Sequence, residues 1–432
     1  MNPAVLLLIM FMILVVIGVP IAVALGSTAL IVIILYKLGI VMISRNFYAG
    51  IASFSLLAIP FFVLAGMIFE KARLAEKIAR LLELIVGRST GGLAMTAVLT
   101  AMFWGAISGS GPATTAAVGI ILIVPMIRHG YSKYFAAATV ASTADLSIII
   151  PPSIAFIIYG NITSASVSAL FTAGIIPGIL MGLFCVVAAY FVSKKRGYRG
   201  ITERGSAKEI LIALKDSVWA ILAPFIILGG IYGGVFTPTE AAVVAVFYSL
   251  FVATVIYRTL NWRTFMEILI EASATSSVIM TIVAFAGIFS WTTTVSGAVE
   301  SLTHSIINIT KNPWMFIILI DIVLLGLGMI LDAISISYLV LPPLIPILKL
   351  YHIDPIWYGV IFVAALAIGQ ATPPVGVNLF TAASLINSDL DPIAKEAIPY
   401  IIASIIALII ISSVPALSTY LPIHAGLYKI AP

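Results

Sequence analysis

The sequence predicts an all-α polytopic membrane protein built as an inverted repeat, and three observations carry that reading. Charge is scarce: 62% of the 432 residues are hydrophobic and 9% are Asp, Glu, Lys or Arg, where a soluble chain carries about 25%. Residues 1–36, 89–127, 146–193, 272–299 and 397–428 hold no charge at all, and each run matches or exceeds the roughly 20 residues that cross hydrocarbon as a helix. Punctuation also recurs. "VLAGMIF" at 63–69 and "AFAGIFS" at 284–290 lie 221 residues apart, Pro125 and Pro346 also 221, and Pro151-Pro152 and Pro373-Pro374 222.

A mean hydropathy of +1.20 excludes a soluble enzyme, because the surface that must meet water is missing. Inside lipid every backbone group needs an internal partner, which leaves helices or a closed barrel. The apolar runs are too long and unbroken for alternating barrel strands.

Taken in order, the amino-terminal run lacks a basic start and is too long for a signal-peptide core, so it is read as a retained segment. Apolar helices or half-helices are expected near 4–35, 50–69, 92–107, 112–127, 134–148, 153–170, 173–193, 217–234, 238–257, 264–290, 313–330, 333–348, 356–368, 375–386 and 392–414. The shorter pieces near 92–127 and 356–386 read as hairpins or broken helices that enter without crossing. Between them, 70–88 sets Leu74, Ile78, Leu81 and Ile85 opposite Lys71, Arg73, Lys77 and Arg80, the pattern of a helix lying at the membrane interface or of a solvated linker.

The connections set the orientation. Seven of the 22 Lys and Arg lie at 194, 195, 196, 199, 204, 208 and 215, which places this connection on the cytoplasmic side. After "AGMIF" come Lys71, Arg73, Lys77, Arg80 and Arg88, whereas 291–312 holds one basic residue, Lys311. Corresponding connections therefore lie on opposite faces, as in the inverted repeats of secondary transporters with a site near the midplane.

Some features point to no chemistry. Cys185, the single cysteine, reads as a small buried hydrophobe. His129, His304, His352 and His424 have no metal-ligand spacing, and Glu240 after Thr237 or Thr239 reads as a helix start. The basic cluster has no aromatic interleaving, so no nucleic acid partner is expected. Without a phosphate loop or dinucleotide fingerprint, uphill movement of a solute would draw on an ion gradient or a separate subunit.

Candidate site residues sit where helices must break, since a break frees amides and carbonyls for an ion or anion. In the first half these are "WGAISGSGPATTAAVG" at 104–119, with Ser108, Ser110, Thr114 and Thr115, and "ASTADLSIIIPPS" at 141–153. In the second half they are "GLGMILDA" at 326–333 and "IGQATPPVGVNLF" at 368–380. Asp332 is an intramembrane carboxylate whose charge a sodium ion would offset, with Gly328, Gly369, Thr372 and the carbonyls before Pro373 and Pro374 as neighbours. The other reading makes Asp332 a half-helix cap. Asp145 reads as a contact to a cation, proton or solute, or as a cap for a half-helix starting near Leu146. Asp321 lies close enough to an expected interface to say little. Solute contacts are assigned to Asp145, Thr114, Thr115, Val375 and Asn378.

These stretches, with "GIYGGVFTPTEAAVVAVFYSL" at 230–250 and "GMILDAISISYLVLPPLIPILKLYHIDPIWYG" at 328–359, resemble the large membrane subunit of TRAP transporters, the DctM family. The resemblance implies a multi-pass protein of the cytoplasmic (inner) membrane that imports a small organic-acid solute. It also implies Na+ as coupling ion with no organic cofactor, an extracytoplasmic solute-binding protein, a separate small TRAP membrane subunit, and an elevator motion of two re-entrant helical hairpins within the lipid. Carried over by motif, the sodium regions fall on Ser108, Ser110, Ser147, Ile150 and Pro151, and on Gly328, Asp332, Gly369, Thr372, Pro373 and Pro374. Three positions depart from the family: Ser147 where glycine is usual, Asp145 where a small neutral residue is common, and Ala365 where many members have Asn. The alternative function is an ion-coupled organic anion transporter that needs no binding protein.

On this reading the chain divides into amino-terminal scaffold helices (1–49), a first inverted-repeat unit with arm helix and hairpin (50–193), a basic cytoplasmic connection (194–216), central scaffold helices (217–263), a second inverted-repeat unit (264–414) and a carboxy-terminal tail (415–432).

Overall fold

The computed structural model describes residues 3–200 and 206–429, without the side chains of 302, 304, 305, 307 and 308. Arg204 of the basic cluster and the side chain of His304 lie outside the described residues.

Among the described residues the chain forms α-helices joined by short turns. They are α1 (Pro3–Val16), α2 (Ile21–Leu35), α3 (Val41–Ile51), α4 (Ala58–Lys71), α5 (Leu74–Val86), α6 (Gly92–Ser108), α7 (Gly111–Arg128), α8 (Lys133–Thr143), α9 (Leu146–Ile149), α10 (Ile154–Thr163), α11 (Val167–Arg196), α12 (Ala207–Tyr232), α13 (Pro238–Phe251), α14 (Trp262–Val295), α15 (Ala298–Ile309), α16 (Pro313–Gly328), α17 (Ala333–Leu350), α18 (Pro355–Gln370), α19 (Val377–Leu385), α20 (Leu390–Ser413) and α21 (Ala416–His424). Eight of the described helical segments are long and apolar enough to cross a membrane. Their outward faces keep Phe225, Phe247 and Ile270 exposed, as helices surrounded by lipid can.

Local chemistry sets the boundaries. The run 4–35 is two helices because Gly18 takes a left-handed φ of 84° and Pro20 has no N–H to donate. The run 153–170 divides at 164–166, where Ser164 is left-handed and the Ser166 side chain accepts the Ala169 N–H to start α11. At α13, Thr237 accepts the Glu240 N–H at 3.3 Å and Glu240 accepts the Thr237 N–H at 2.8 Å. Glu240 is thus part of a capping box.

The charged segment 70–88 yields α5, whose Leu74, Ile78 and Leu81 are buried against α6 and α12. Ile85 departs from the expected stripe and is 58% exposed. Its neighbours place several basic loops together. Lys77 lies 4.2 Å over the Tyr257 ring, whose hydroxyl donates to the Asp216 carbonyl. Tyr198 accepts from Gly91 N–H through its carbonyl and from Ser132 N–H through its hydroxyl, and Arg196 pairs with Glu396 at 2.6 Å.

At the centre lies α18, buried from Ile356 to Gln370, a helix whose apolar surface is covered by other helices rather than by lipid. It packs on α16, α20, α11, α9 and α10. Among the contacts that join the halves, α7 packs on α19, and α17 packs on α10. Of the segments read as hairpins or broken helices, α6 and α7 lie side by side, whereas α18 and α19, parted at 371–376, barely touch: both reach α20, but α18 packs mainly on α16 and α19 mainly on α7 and α8. The stretch 356–386 is therefore an interrupted helix.

Candidate functional site

The first break follows Ser108. Gly109 ends α6 with a φ of 63°, Ser110 is extended, and Pro112 starts α7 where a missing N–H costs nothing. Three side chains fasten the turn: Ser108 Oγ donates to the Ser110 carbonyl at 3.3 Å, accepts the Ser110 N–H at 3.3 Å, and lies 3.2 Å from Thr114 Oγ1. Thr115 Oγ1 donates to the Gly111 carbonyl at 3.0 Å.

The first double proline, with a cis bond between Pro151 and Pro152, interrupts α9 and α10. Ile150 is extended, Ser147 Oγ donates to the Ala144 carbonyl at 2.6 Å, and Ser153 bonds the Ile148 carbonyl and caps α10. A Cβ on Gly109 would lie 2.7 Å from the Pro152 carbonyl oxygen, so the two breaks of this half touch.

The second half makes the same kind of contact with different atoms. Asp332 caps α17: Oδ1 accepts the Ile334 and Ser335 N–H groups at 3.0 and 3.1 Å, and Oδ2 accepts Ser335 Oγ at 2.6 Å. The capping reading of Asp332 is therefore realised. Beyond α18, Thr372 Oγ1 donates to the Ile368 carbonyl at 2.6 Å. After the Pro373-Pro374 cis bond, Gly376 N–H donates to the Met329 carbonyl at 3.0 Å.

A cavity of about 240 Å³ lies where the breaks converge, lined by Gly109 to Pro112, Asp332, Ala333, Gln370 and Val377 among others, with α14 contributing Ile279 and Ile282. A second, of about 110 Å³, shares Ser110, Ile154 and Ile279 with the first and adds Ser108, Trp104, Thr275 and Glu70. Ser110 from the first half and Asp332 from the second thus line one space.

Asp145, Thr114, Thr115, Val375 and Asn378 do not line either cavity. Asp145 is 2% exposed and makes no side-chain cap; its Oδ1 accepts Asn378 Nδ2–H at 2.7 Å. Val375 is half-buried. Ile150 and Pro151 instead border an apolar groove against α12.

Sequence reasoning passed over three residues. Gln370 faces the larger cavity; its amide in "IGQATPP", three residues before the prolines, was the available signal. The Trp104 indole N–H is buried without an acceptor. Asp321 is buried on α16 with Oδ1 unpartnered, and apolar neighbours on both sides give no sequence sign of this.

Comparison with known proteins agrees with this architecture. The profile of the tripartite ATP-independent periplasmic transporter DctM component matches residues 8–417. The isethionate TRAP transporter permease protein DctMQ of Oleidesulfovibrio alaskensis is 37% identical, covering 97% of this chain and 66% of that protein; the chain thus spans about two thirds of that relative's length. The C4-dicarboxylate TRAP transporter large permease protein DctM of Pseudomonas aeruginosa is 38% identical over 87% of both. The crystal structure of the Alcanivorax borkumensis YdaH transporter shares the fold with a TM-score of 0.64, at 13% identity and with 100% of both chains covered. The chain belongs to the DctM family, as a multi-pass inner-membrane transport protein and not an enzyme.

Proposed function

We propose that this chain is the large membrane subunit of a sodium-gradient-driven importer of small organic anions, working with a separate small membrane subunit and an extracytoplasmic solute-binding protein. The observation that carries the reading is the cavity shared by Ser110 and Asp332, in which two helix breaks from different halves meet. Sodium is a hard cation suited to such oxygens. Ser108, Ser110 and the carbonyls near Ser147, Ile150 and Pro151 form its first region; Gly328, Asp332, Gly369, Thr372 and Pro373 surround the second.

The relatives, an isethionate and a C4-dicarboxylate permease, support a small organic anion as solute. Its negative charge is unfavourable beside Asp332 unless a cation intervenes. This links solute to ion: sodium entry completes the anion site, and solute binding retains sodium.

The reciprocal packing of α7 on α19 and α17 on α10 supports an inverted repeat, with 50–193 and 264–414 as its units and 1–49 and 217–263 as scaffold. An elevator motion follows, in which the elements around α18 travel against α12 and α13 while α5 and α15 brace them at opposite faces. The basic loops gathered around Tyr198 and Tyr257 support a cytoplasmic side for the 194–216 connection.

The test is uptake into proteoliposomes containing both membrane subunits. Solute should accumulate only with an inward sodium gradient and loaded binding protein. Accumulation without sodium defeats the coupling, and accumulation of free solute without binding protein defeats the tripartite reading.

A further inference from the structure

Asp145 and Asn378 are 233 positions apart, yet their bond draws three broken segments together. Asp145 stands two residues before Ser147, at the entry to the first double proline. Asn378 is the second residue of α19, at the exit from the second. Its amide also presses on the third segment: a Cβ on Gly111, the residue after Ser110, would lie 2.6 Å from Asn378 Oδ1. Both side chains are buried, so water does not compete for the bond. No Lys or Arg pairs with the carboxylate among the described residues.

Neither residue reaches the cavities, yet each adjoins a segment assigned to an ion region. We propose that the Asp145–Asn378 hydrogen bond is a positioning strut between the two ion regions, so that sodium ordering one region helps to order the other. This rests on the sodium reading given above. A bond spanning two elements that are both ordered by ligand carries a coupling free energy, and the coupling acts in both directions. The strut needs one donor and one acceptor in contact; the chemistry is unchanged when carboxylate and amide exchange places.

The experiment is a titration of the full purified chain with NaCl, choline chloride holding ionic strength, read as the thermal midpoint. Wild type should be protected by sodium along a curve steeper than single-site binding. Asn378→Asp opposes two carboxylates and should raise the half-saturating sodium concentration about tenfold while flattening the curve. The exchange of both, Asp145→Asn with Asn378→Asp, should bring half-saturation back to within about twofold of wild type. Gly111→Ala, which displaces Asn378 without altering either partner, should flatten the curve as Asn378→Asp does.

Wild-type curves for Asn378→Asp or Gly111→Ala would overturn the strut. So would an exchanged protein that matches wild type in stability without sodium but keeps the impaired titration. A wild type whose midpoint ignores sodium refutes the sodium reading itself.

Discussion

Gly328 and Gly369 meet backbone to backbone: a Cβ on Gly328 would stand 2.8 Å from the Gly369 Cα, and one on Gly369 2.6 Å from the Gly328 Cα. The first half contains a related contact in which a Cβ on Gly105 would stand 2.6 Å from the Ser147 Cα. Gly105 leaves room for Ser147 by lacking a Cβ, and the serine side chain turns to the Ala144 carbonyl. Close approach requires the absence of a Cβ at the contact point, and it brings the backbone ahead of each double proline near the break of its neighbour.

Gly369→Ala should therefore cost about 1–3 kcal/mol through overpacking. The purified variant's thermal midpoint is the measure, with Gly326→Ala as control. Gly326 lies on the same helix as Gly328 with nothing within 4 Å of a built Cβ, so alanine there is expected to be neutral or slightly stabilising. Equal losses at 326 and 369 would show that alanine is costly along both helices and not specifically at their crossing.

Asp332 has two duties that a substitution can separate. Asn caps a helix about as well as Asp, whereas Ala loses about 0.5–2 kcal/mol. Asp332→Asn should keep the wild-type thermal midpoint, yet raise the sodium concentration for half-maximal uptake about tenfold or more as the carboxylate charge is lost. Normal sodium dependence in a folded Asp332→Asn protein would remove Asp332 from the ion site.

How much of this was legible beforehand depends on how local each cause is. Gly109, Pro112 and the double prolines act within one turn of chain, so the breaks could be placed from sequence. The caps at Asp332 and Thr237 follow from side chains bonding N–H groups two or three residues on. Pro20 and Ser164 were equally local, but the hydropathy around them masked the interruptions. Apolar character identifies a helix in lipid without identifying which face meets a neighbour, so neither the burial of Asp321 nor the main partners of α18 and α19 could be read. The bond from Asn378 to Asp145 depends on how the two halves dock, which no local pattern records.

Sidedness has a direct chemical test, because Cys185 is buried, with Sγ 3.6 Å from Ser404 Oγ, and should resist aqueous thiol reagents. Arg80 is exposed on α5 and Lys311 is exposed after α15. Arg80→Cys should be labelled by a membrane-impermeant maleimide only in inside-out vesicles, and Lys311→Cys only from outside in intact cells. Labelling of both from one side would contradict the inverted repeat.

Asp321 poses the opposite case to Asp332. An acidic residue among membrane helices is a functional candidate by default, but Asp321 borders neither cavity, and its Oδ1 has no hydrogen-bond partner. A buried acceptor left unpaired destabilises the fold by its lost hydration, roughly 1–3 kcal/mol and more when charged. Asp321→Asn keeps the shape and cannot ionise, so it should raise the thermal midpoint and leave the sodium dependence of uptake unchanged. Tyr358, whose buried hydroxyl also lacks a partner, offers the new amide a neighbour on α18. Loss of uptake in a folded Asp321→Asn protein would instead place this carboxylate on the transport path.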